Sequence, residues 1–179
     1  MHGLQIWVAL PKQHEEMDPE FFHVEKEQIP KWTEGDLQFK LVAGEAFAKK
    51  SPVPVCSKLY MIEIKSTTKQ VVNIGDQLYG ESGLYILEGA IESEENIYGP
   101  KKLLIARDSK LCEFTMHKNS TIYIFGGYPF PEKRFIDWNF VSTSKERIEE
   151  AKQKWETQSF PKIKGDETDF IPYPSRSNK

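Results

Sequence analysis

The stretch KLYMIEIK, residues 58–65, alternates its side chains with the period of two that is typical of a half-buried β-strand. Tyr60, Ile62 and Ile64 share one face of this predicted strand. Five more segments have the character of strands, and turn sequences separate them. These segments are LQFKLVAG (37–44), GLYILEGAIE (83–92, with Gly89 as a predicted bulge or kink), KKLLIA (101–106), LCEFTM (111–116) and TIYIFGG (121–127). Many short strands at this spacing predict an all-β sandwich or barrel.

The chain opens with another predicted strand, in HGLQIWVALP at residues 2–11. We expect the strand to cover residues 3–10, and Pro11 ends it because proline cannot donate to a ladder. One face of this strand carries the apolar row Leu4, Ile6, Val8 and Leu10. Residues 12–36 are polar and contain two prolines, so we expect a crossing segment that docks Phe21 and Phe22 on the fold.

A helix is predicted only near the other end, in STSKERIEEAKQKW at residues 142–155. Thr143 and Glu146 stand at capping-box spacing at its start. A narrow apolar stripe runs along it and indicates that the helix lies on a surface. The tail at 160–179 is rich in proline but contains Phe160, Phe170, Ile171 and Tyr173. We expect it to pack as far as about Pro174 and to fray beyond that point.

The composition is that of a soluble globular protein, with 179 residues of which 39% are hydrophobic. The net charge of −3 gives no positive field for nucleic acid, so no nucleic-acid partner is expected. No apolar run reaches the roughly 18 residues of a membrane span, and we expect no membrane association. Cys56 and Cys112 are predicted to be free thiols in a reducing compartment, which favours a cytoplasmic location.

Three stretches together resemble the pirin family of bicupin proteins. They are HGLQIWVALP (2–11), IFGGYPFPEKRFIDWNFVSTSKERIEEAKQKW (124–155) and FPKIKGDETDFIPYP (160–174). LVAGEAF (41–47) and YILEGAIE (85–92) also stand where the second pirin barrel carries its equivalent strands.

The resemblance implies a fold and a division of the chain. The implied fold is a cupin-type double-stranded β-helix, or jelly-roll barrel, with one C-terminal α-helix and a packed C-terminal tail. Residues 1–36 would be the inter-barrel strand and crossing segment, 37–141 the C-terminal cupin barrel, and 142–179 the C-terminal helix and tail. The resemblance also implies that the N-terminal, metal-binding cupin is absent from this chain.

Pirins carry their metal, usually iron, on three histidines and one glutamate of the N-terminal barrel, and some resemble quercetin 2,3-dioxygenase in activity. In the barrel of this chain, the corresponding histidine positions fall near Asp76 and Leu78, and the glutamate position at Ser82 or Glu81. A site of this kind needs several imidazoles that converge on one ion. The region of the later cupin motif, ARDSKLCEF (106–114), has no Pro, Gly or His. We therefore predict no catalytic, cofactor-binding or metal-binding residue, and iron only in the missing cupin.

The remaining chemistry-bearing residues are expected to have structural roles. His2, His14, His23 and His117 show no ligand spacing. We interpret the pairs Cys112/His117, Glu113/His117 and Glu88/Glu92 as surface features, and Gly126-Gly127 as a tight turn rather than a phosphate loop. The aromatic residues are expected to fill the barrel interior rather than to line a ligand pocket. This set comprises Trp7, Trp32, Trp138, Trp155, Tyr85, Tyr123 and Phe125.

Three functional hypotheses remain open. The first is a non-catalytic structural and protein-interaction module, which self-associates through the apolar edge Leu4, Ile6, Val8 and Leu10 or binds a separate metal-cupin partner. The second is a pirin-type, quercetin 2,3-dioxygenase-like oxidoreductase whose metal-binding half is supplied elsewhere. The third is a regulatory protein contact, since some pirins bind transcription factors. No small-molecule ligand is indicated by the sequence.

Overall fold

The structure of the chain is a computed structural model that describes residues 3–106 and 113–174. The chain forms two compact units, 18–129 and a second one built from 1–17 together with 130–179. We call the first the barrel unit and the second the terminal unit. The sequence-based division into 1–36, 37–141 and 142–179 stays a prediction.

The barrel unit contains a seven-stranded antiparallel sheet with the order β1-β2-β4-β11-β6-β9, in which β3 also pairs with β2. Its strands are β1 (Lys31–Glu34), β2 (Leu37–Ala46), β3 (Lys49–Lys50), β4 (Leu59–Ser66), β6 (Glu81–Glu88), β9 (Leu103–Ala106) and β11 (Ser120–Gly127). A four-stranded antiparallel sheet has the order β5-β10-β7-β8. It consists of β5 (Gln70–Asn73), β7 (Ile91–Ser93), β8 (Asn96–Tyr98) and β10 (Glu113–Met116). The all-β class is confirmed, and the predicted strands all have a counterpart apart from the one at 3–10.

The core of the barrel unit forms because inward-facing residues alternate along each strand. On β4 the predicted face is confirmed, since Tyr60, Ile62 and Ile64 are all fully buried. β11 contributes Ile122 and Ile124 from the neighbouring strand. The expectation that the aromatic set fills the interior is wrong for most of its members, although Trp32 packs against the core beside Phe39. Aliphatic side chains fill most of it, while Tyr85, Tyr123 and Phe125 stand on the opposite face of their strands and are half-buried.

The predicted strand at 3–10 is also wrong, because the described residues of this segment pair with no strand. Leu4, Ile6 and Val8 are exposed, and Leu10 is half-buried. The apolar alternation is present, but a strand also needs a neighbour that accepts its backbone hydrogen bonds. Within the described residues no such neighbour is available to the segment.

The phenylalanines of the crossing segment were also misplaced. Phe21 is 90% exposed and Phe22 is 56% exposed, so neither docks on the fold.

The terminal unit contains the short hairpin β12 (Phe135–Asp137) and β13 (Phe140–Ser142), followed by α1 (Lys145–Glu156). The helix is confirmed, but its N-cap is Ser144 rather than Thr143. The Ser144 hydroxyl accepts a hydrogen bond from the backbone N–H of Arg147. Thr143 is engaged elsewhere, because its backbone N–H and its hydroxyl both donate to the carboxylate of Glu15.

Aromatic side chains form the small core of the terminal unit. Trp138 contacts Phe140, Trp155 and Tyr173 edge-on, with ring centroids 5.1–5.7 Å apart. The indole N–H of Trp155 donates to the carbonyl of Ile171, 2.8 Å away. The tail therefore contacts the helix at Ile171 and the aromatic core at Tyr173, whereas residues 160–172 are all exposed. The predicted fraying beyond Pro174 lies outside the described residues.

Gly89 was predicted as a bulge or kink within one strand at 83–92, but the structure divides this stretch, since β6 ends at Glu88 and β7 begins at Ile91 in the other sheet. Gly89 has a φ of +75°, and a Cβ at this position would lie 2.7 Å from the Cα of Ser120. The Ser120 hydroxyl also donates to the carbonyl of Ala90 and accepts from the backbone N–H of Ala90. Glycine is required here because the backbone is both left-handed and in close contact with another strand.

Replacing Gly89 by alanine should destabilise the protein by at least about 2 kcal/mol, since the left-handed backbone and the contact with Ser120 both disfavour a Cβ. Chemical denaturation of the two proteins measures this difference. Gly99→Ala is the matched control, because nothing lies within 4 Å of a Cβ built there. Equal loss of stability in both variants would contradict the role assigned to Gly89.

Candidate functional site

The interior of the barrel unit is filled by its own side chains. Within the described residues, the largest fully buried ones are Tyr60, Leu41, Ile62, Ile64, Leu84, Ile86, Ile91, Met116, Ile122 and Ile124. Side chains packed in this way form a close-packed hydrophobic core rather than a ligand cavity.

One polar pair stands inside this core. The hydroxyl groups of Tyr60 and Ser82 share a hydrogen bond, and both residues are buried. Burial raises the pKa of Tyr60, and the hydrogen bond with Ser82 opposes part of that rise. The backbone at Gly126 passes close to the phenol, because a Cβ there would lie 2.6 Å from the Tyr60 hydroxyl. The phenol of Tyr60 is therefore held tightly by a partner that lies at a predicted cupin ligand position.

The other predicted ligand positions do not point at a common centre. Asp76 lies in a short 3₁₀ turn and is exposed, as is Glu81. Leu78 packs against the hydrophobic core. In the part of the chain that the structure describes, no group of three or more His, Cys, Asp or Glu side chains is arranged to hold a metal ion.

A buried carboxylate lies instead on the outer face of the seven-stranded sheet. Glu63 of β4 is buried, and its carboxylate accepts a hydrogen bond from the hydroxyl of Tyr123 on β11. Lys40 of β2 places its Nζ 2.8 Å from the other carboxylate oxygen, and Lys65 lies 3.6 Å away. The three strands bring these residues together because Glu63 stands opposite both Lys40 and Tyr123 in the ladder. Sequence analysis missed this network, since only the strand register reveals it.

The network shifts the pKa of two of its members. Burial raises the pKa of Glu63, but the hydrogen bonds from Lys40 and Tyr123 and the charges of both lysines outweigh burial, so the pKa lies below its usual value of 4.5. Burial and the hydrogen bond to the Glu63 carboxylate both raise the pKa of Tyr123. At neutral pH, Glu63 is thus ionised and Tyr123 is a hydrogen-bond donor. Both are fully engaged with each other and with the lysines.

His2 lies outside the described residues, and His14, His23 and His117 belong to no metal-binding cluster among the residues that are described. His23 is exposed and lies 3.1 Å from Glu25. His117 faces Glu92, with 3.5 Å between its Nε2 and the carboxylate, and Lys69 binds the same carboxylate oxygen at 2.9 Å. Cys112 lies outside the described residues, as does most of the 106–114 region. Cys56 is exposed and free.

Two open grooves flank the loop after β2. The larger is lined by Gln28, Gly44, Lys50, Ser51, Pro52 and Val53, among others. The smaller contains Lys58, whose Nζ lies 5.0 Å from the ring centroid of Tyr79 and 5.1 Å from that of Tyr128. The Tyr79 hydroxyl donates to the carbonyl of Leu59, and burial raises the pKa of Tyr79 to about 12. These polar groups are already used in contacts within the chain.

The segment at residues 3–10 carries several exposed apolar side chains of the terminal unit. Trp7 is 57% exposed and Val8 is 56% exposed, and Leu4 and Ile6 are exposed as well. The segment is anchored at its end, because Arg134 donates from Nη2 to the carbonyl of Leu10, 2.9 Å away. Arg134 also lies 3.4 Å from the carboxylate of Glu15. Exposed apolar surface on a segment that is hydrogen-bonded to the rest of the unit at one end is typical of a protein contact.

Comparison with known proteins gives the family. Residues 61–161 match the pirin C-terminal cupin domain. A pirin-like protein of Caulobacter vibrioides is 37% identical over 175 residues, which cover 97% of this chain and 60% of that protein. The chain belongs to the pirin family. Human pirin is 26% identical over 158 residues, covering 84% of this chain and 54% of its own length. This pirin-family chain thus spans about half to three fifths of the length of these two relatives.

Solved structures confirm the cupin fold. A crystal structure of quercetin 2,3-dioxygenase from Acinetobacter baumannii superimposes with a TM-score of 0.81 at 24% identity. The superposition covers 97% of this chain and 58% of the dioxygenase. Among the described residues of this pirin-family chain, no helix is long and apolar enough to span a membrane.

The residues of this barrel do not fit the iron site of the pirin family. Leu78 has no donor atom, and the Ser82 hydroxyl is bound to Tyr60 inside a packed core. The two carboxylates nearby, Asp76 and Glu81, are exposed rather than directed inward. Iron of this type requires imidazole nitrogen together with carboxylate oxygen around an open coordination position. The chemistry of these side chains therefore places no metal ligand at the predicted positions.

Replacing Glu63 by glutamine should destabilise the protein at neutral pH by about 1–3 kcal/mol, because the side chain loses its charge and one of the two oxygens that accept from Lys40 and Tyr123 becomes an NH2 group. A carboxylate whose pKa is lowered on folding stabilises the protein above its unfolded pKa of 4.5, and this contribution is lost as the pH falls through the lower folded value. The stability difference between the two proteins should therefore shrink below pH 4.5. Denaturation curves between pH 3 and pH 8 measure it.

The exposed Glu113, replaced by glutamine, is the matched control and should show no such pH dependence. A stability difference for Glu63→Gln that stays constant down to pH 3 would contradict the assigned network.

Proposed function

We propose that this pirin-family chain is a non-catalytic cupin module that contributes structure and a protein contact, and that its partner is a cupin barrel that carries a metal site. The observation that carries the proposal is the exposed apolar segment at residues 3–10, anchored by Arg134 at Leu10. The filled interior of the barrel unit supports it further, since the space in which a cupin holds its ligand is occupied by Tyr60 and its aliphatic neighbours.

The segment has the properties of a peptide that binds by strand addition. Its described backbone belongs to no sheet or helix, and the side chains of Leu4, Ile6, Trp7 and Val8 are exposed. An extended peptide of this kind adds to an open sheet edge, where backbone hydrogen bonds give affinity and alternate side chains enter pockets. The fixed position of Leu10 reduces the conformational entropy that such binding costs.

The partner is proposed from the length of the relatives. The Caulobacter pirin-like protein extends well beyond the 60% that this chain matches. In the pirin family the additional part is a metal-binding cupin barrel. A barrel of the same fold has sheet edges that can receive residues 3–10. Self-association through this segment is the alternative partner choice, and the experiment below separates the two.

Co-expression tests the proposal. We expect the full chain to co-purify with the part of the Caulobacter pirin-like protein that this chain does not match, and iron to be found in the complex but not in this chain purified alone. Replacing both Ile6 and Val8 by serine should reduce co-purification at least about tenfold, because each substitution removes an apolar contact that is worth more than about 1 kcal/mol. The matched control replaces Val71 and Ile97, which are also exposed, by serine.

Elemental analysis of this chain, purified alone, is the measurement that can contradict the non-catalytic proposal. Near-equimolar iron, nickel or copper in that sample would overturn the non-catalytic proposal, because the metal would then be held by this chain's own residues. Formation of a homodimer that the Ile6/Val8 variant abolishes would assign the segment to self-association instead of to a metal-cupin partner.

A second candidate function is that of an oxidoreductase of the quercetin 2,3-dioxygenase type, whose metal half is supplied by the partner. A Pseudomonas aeruginosa protein whose name proposes this activity is 28% identical over 156 residues, which cover 87% of this chain and 49% of that protein. Quercetin consumption by the co-purified complex, but not by either part alone, would favour this candidate.

The exposed and free Cys56 supports a further proposal, that the chain works in the reducing cytoplasm.

A further inference from the structure

The first described residues of the terminal unit lead into a cluster of polar contacts. We call residues 3–17 the N-terminal strap. Residues 3–8 of the strap are exposed, whereas Pro11 is buried. A 3₁₀ turn at Lys12–His14 follows, and Glu15 comes directly after it. The exposed first half of the strap is thus connected to the rest of the unit through its second half.

Glu15 is the centre of the polar cluster. Its carboxylate accepts hydrogen bonds from the backbone N–H of Thr143, at 3.0 Å, and from the Thr143 hydroxyl, at 3.1 Å. The Ser142 hydroxyl donates to the same carboxylate at 3.0 Å. Because the Glu15 side chain is only 11% exposed, these donors take the place of water around its charge. We call this set of contacts the Glu15 latch.

Arg134 connects the latch to the exposed half of the strap. Its Nε lies 3.4 Å from the Glu15 carboxylate, and its Nη2 donates to the carbonyl of Leu10. The guanidinium also stacks on Phe130, 4.4 Å from the ring centroid, and its Nη1 donates to the carbonyl of Glu132. Among the described residues the buried Nε has no hydrogen-bond partner, so the nearby charge of Glu15 compensates it. Removal of that charge therefore weakens the position of Arg134, and with it the contact at Leu10.

The carboxylate of the latch is ionised at neutral pH. Burial raises the pKa of Glu15, but the hydrogen bonds from Thr143 and Ser142 and the charge of Arg134 outweigh burial, so the pKa lies below its usual value of 4.5. Hydrogen bonds to a charged acceptor are stronger than those between neutral groups. The latch is therefore closed by its strongest form of contact under ordinary conditions.

The neighbouring carboxylate has a different environment. Glu16 pairs with Arg147 of α1, but the Glu16 side chain is 73% exposed and that of Arg147 is 43% exposed. An exposed ion pair of this kind contributes little to stability. The position of the strap thus depends on Glu15 much more than on Glu16.

We propose that the Glu15 latch fixes the N-terminal strap, so that residues 3–10 are presented in one position when the latch is closed and become mobile when it is open. The inference rests on the proposed function in taking residues 3–10 as the binding segment, while the latch itself is a property of this chain alone. A closed latch lowers the entropy that is lost on binding, and an open one reduces affinity in proportion to the fraction of chains whose strap is out of place. Glu15 is therefore a positioning residue for that segment.

Limited proteolysis of the full chain tests the latch. Trypsin cleaves after Lys12 only when the chain around this residue leaves its folded position, so the cleavage rate reports the open fraction. Glu15→Ala should raise this rate at least about tenfold, because the charged acceptor of several hydrogen bonds is lost. Glu16→Ala is the matched control and should leave the rate nearly unchanged.

A second variant approaches the latch from the opposite side. Thr143→Val removes one hydroxyl donor and leaves unchanged the sequence that trypsin meets around Lys12. Cleavage after Lys12 should be faster than in the unchanged chain and slower than in Glu15→Ala, because the Thr143 N–H still donates to Glu15. Cleavage after Lys152, within α1, is the internal reference. It should stay slow in all variants, since the Ser144 cap of the helix does not involve Glu15.

Two outcomes of the proteolysis would overturn the inference. The first is a cleavage rate after Lys12 that is no higher in Glu15→Ala than in Glu16→Ala, which would mean that the packing of Pro11 alone holds the strap. The second is cleavage after Lys152 that accelerates by the same factor as cleavage after Lys12. Glu15 would then stabilise the terminal unit as a whole and would not be a latch.

Co-purification with the unmatched part of the Caulobacter pirin-like protein separates the latch from the proposed function. Glu15→Ala should lower the amount that co-purifies, and Glu16→Ala should not. Equal co-purification of Glu15→Ala and the unchanged chain would overturn the positioning role of Glu15. Failure of the unchanged chain to co-purify would contradict the proposed function instead, and the proteolysis would still decide whether the latch exists.

Discussion

The packing of Tyr60 and Ser82 inside the barrel unit is the constraint on which the functional interpretation depends. A buried hydroxyl must have a hydrogen-bond partner, and here the two hydroxyls satisfy each other. Ser82 stands at a predicted cupin ligand position. Its hydroxyl is bound to Tyr60 instead of being directed at a metal ion. The close approach of the Gly126 backbone leaves little room around the phenol. The described interior is filled by side chains, so the candidates for function are the exposed surfaces of the chain.

Those surfaces are of two kinds, and each lies in one unit. In the terminal unit, residues 3–10 are rich in exposed apolar side chains and are anchored at Leu10. In the barrel unit, β9 combines an open edge with the apolar side chains of Leu103 and Ile105. An extended segment without a sheet and a sheet edge without a strand both expose backbone groups that other chains satisfy.

The sequence predicted the parts of the fold that local pattern determines. The inward face of β4 and the helix α1 were found because each depends on neighbouring residues and turn chemistry. The segment at 3–10 was misassigned because its alternation is that of a strand, whereas strand formation also requires a neighbour. The sequence did not predict the short strands β1 and β5, because four residues carry too little periodic signal.

For the candidate site, the residues alone indicated that the cupin ligand types are missing, since that is a matter of which side chains stand at which positions. The sequence could not place the aromatic residues, because hydrophobicity does not tell the two faces of a strand apart. Tyr85, Tyr123 and Phe125 fall on the outer face only once the register with β4 and β9 is known. The same register brings Glu63 to Tyr123, a contact sixty residues apart in sequence.

The buried Glu63 lies in the same row of the outer face as Tyr123, Tyr85 and Leu103. An unpaired carboxylate beside an apolar surface would oppose any contact there, because covering it removes its hydration without compensation. Glu63 already receives hydrogen bonds from Lys40 and Tyr123 and is buried within the single chain, so most of that cost is met during folding. Tyr123 turns its hydroxyl to Glu63, and its ring continues the row that runs through Tyr85 to Leu103. The polar network thus ends where the apolar surface begins, and the charge of Glu63 is compensated within the single chain.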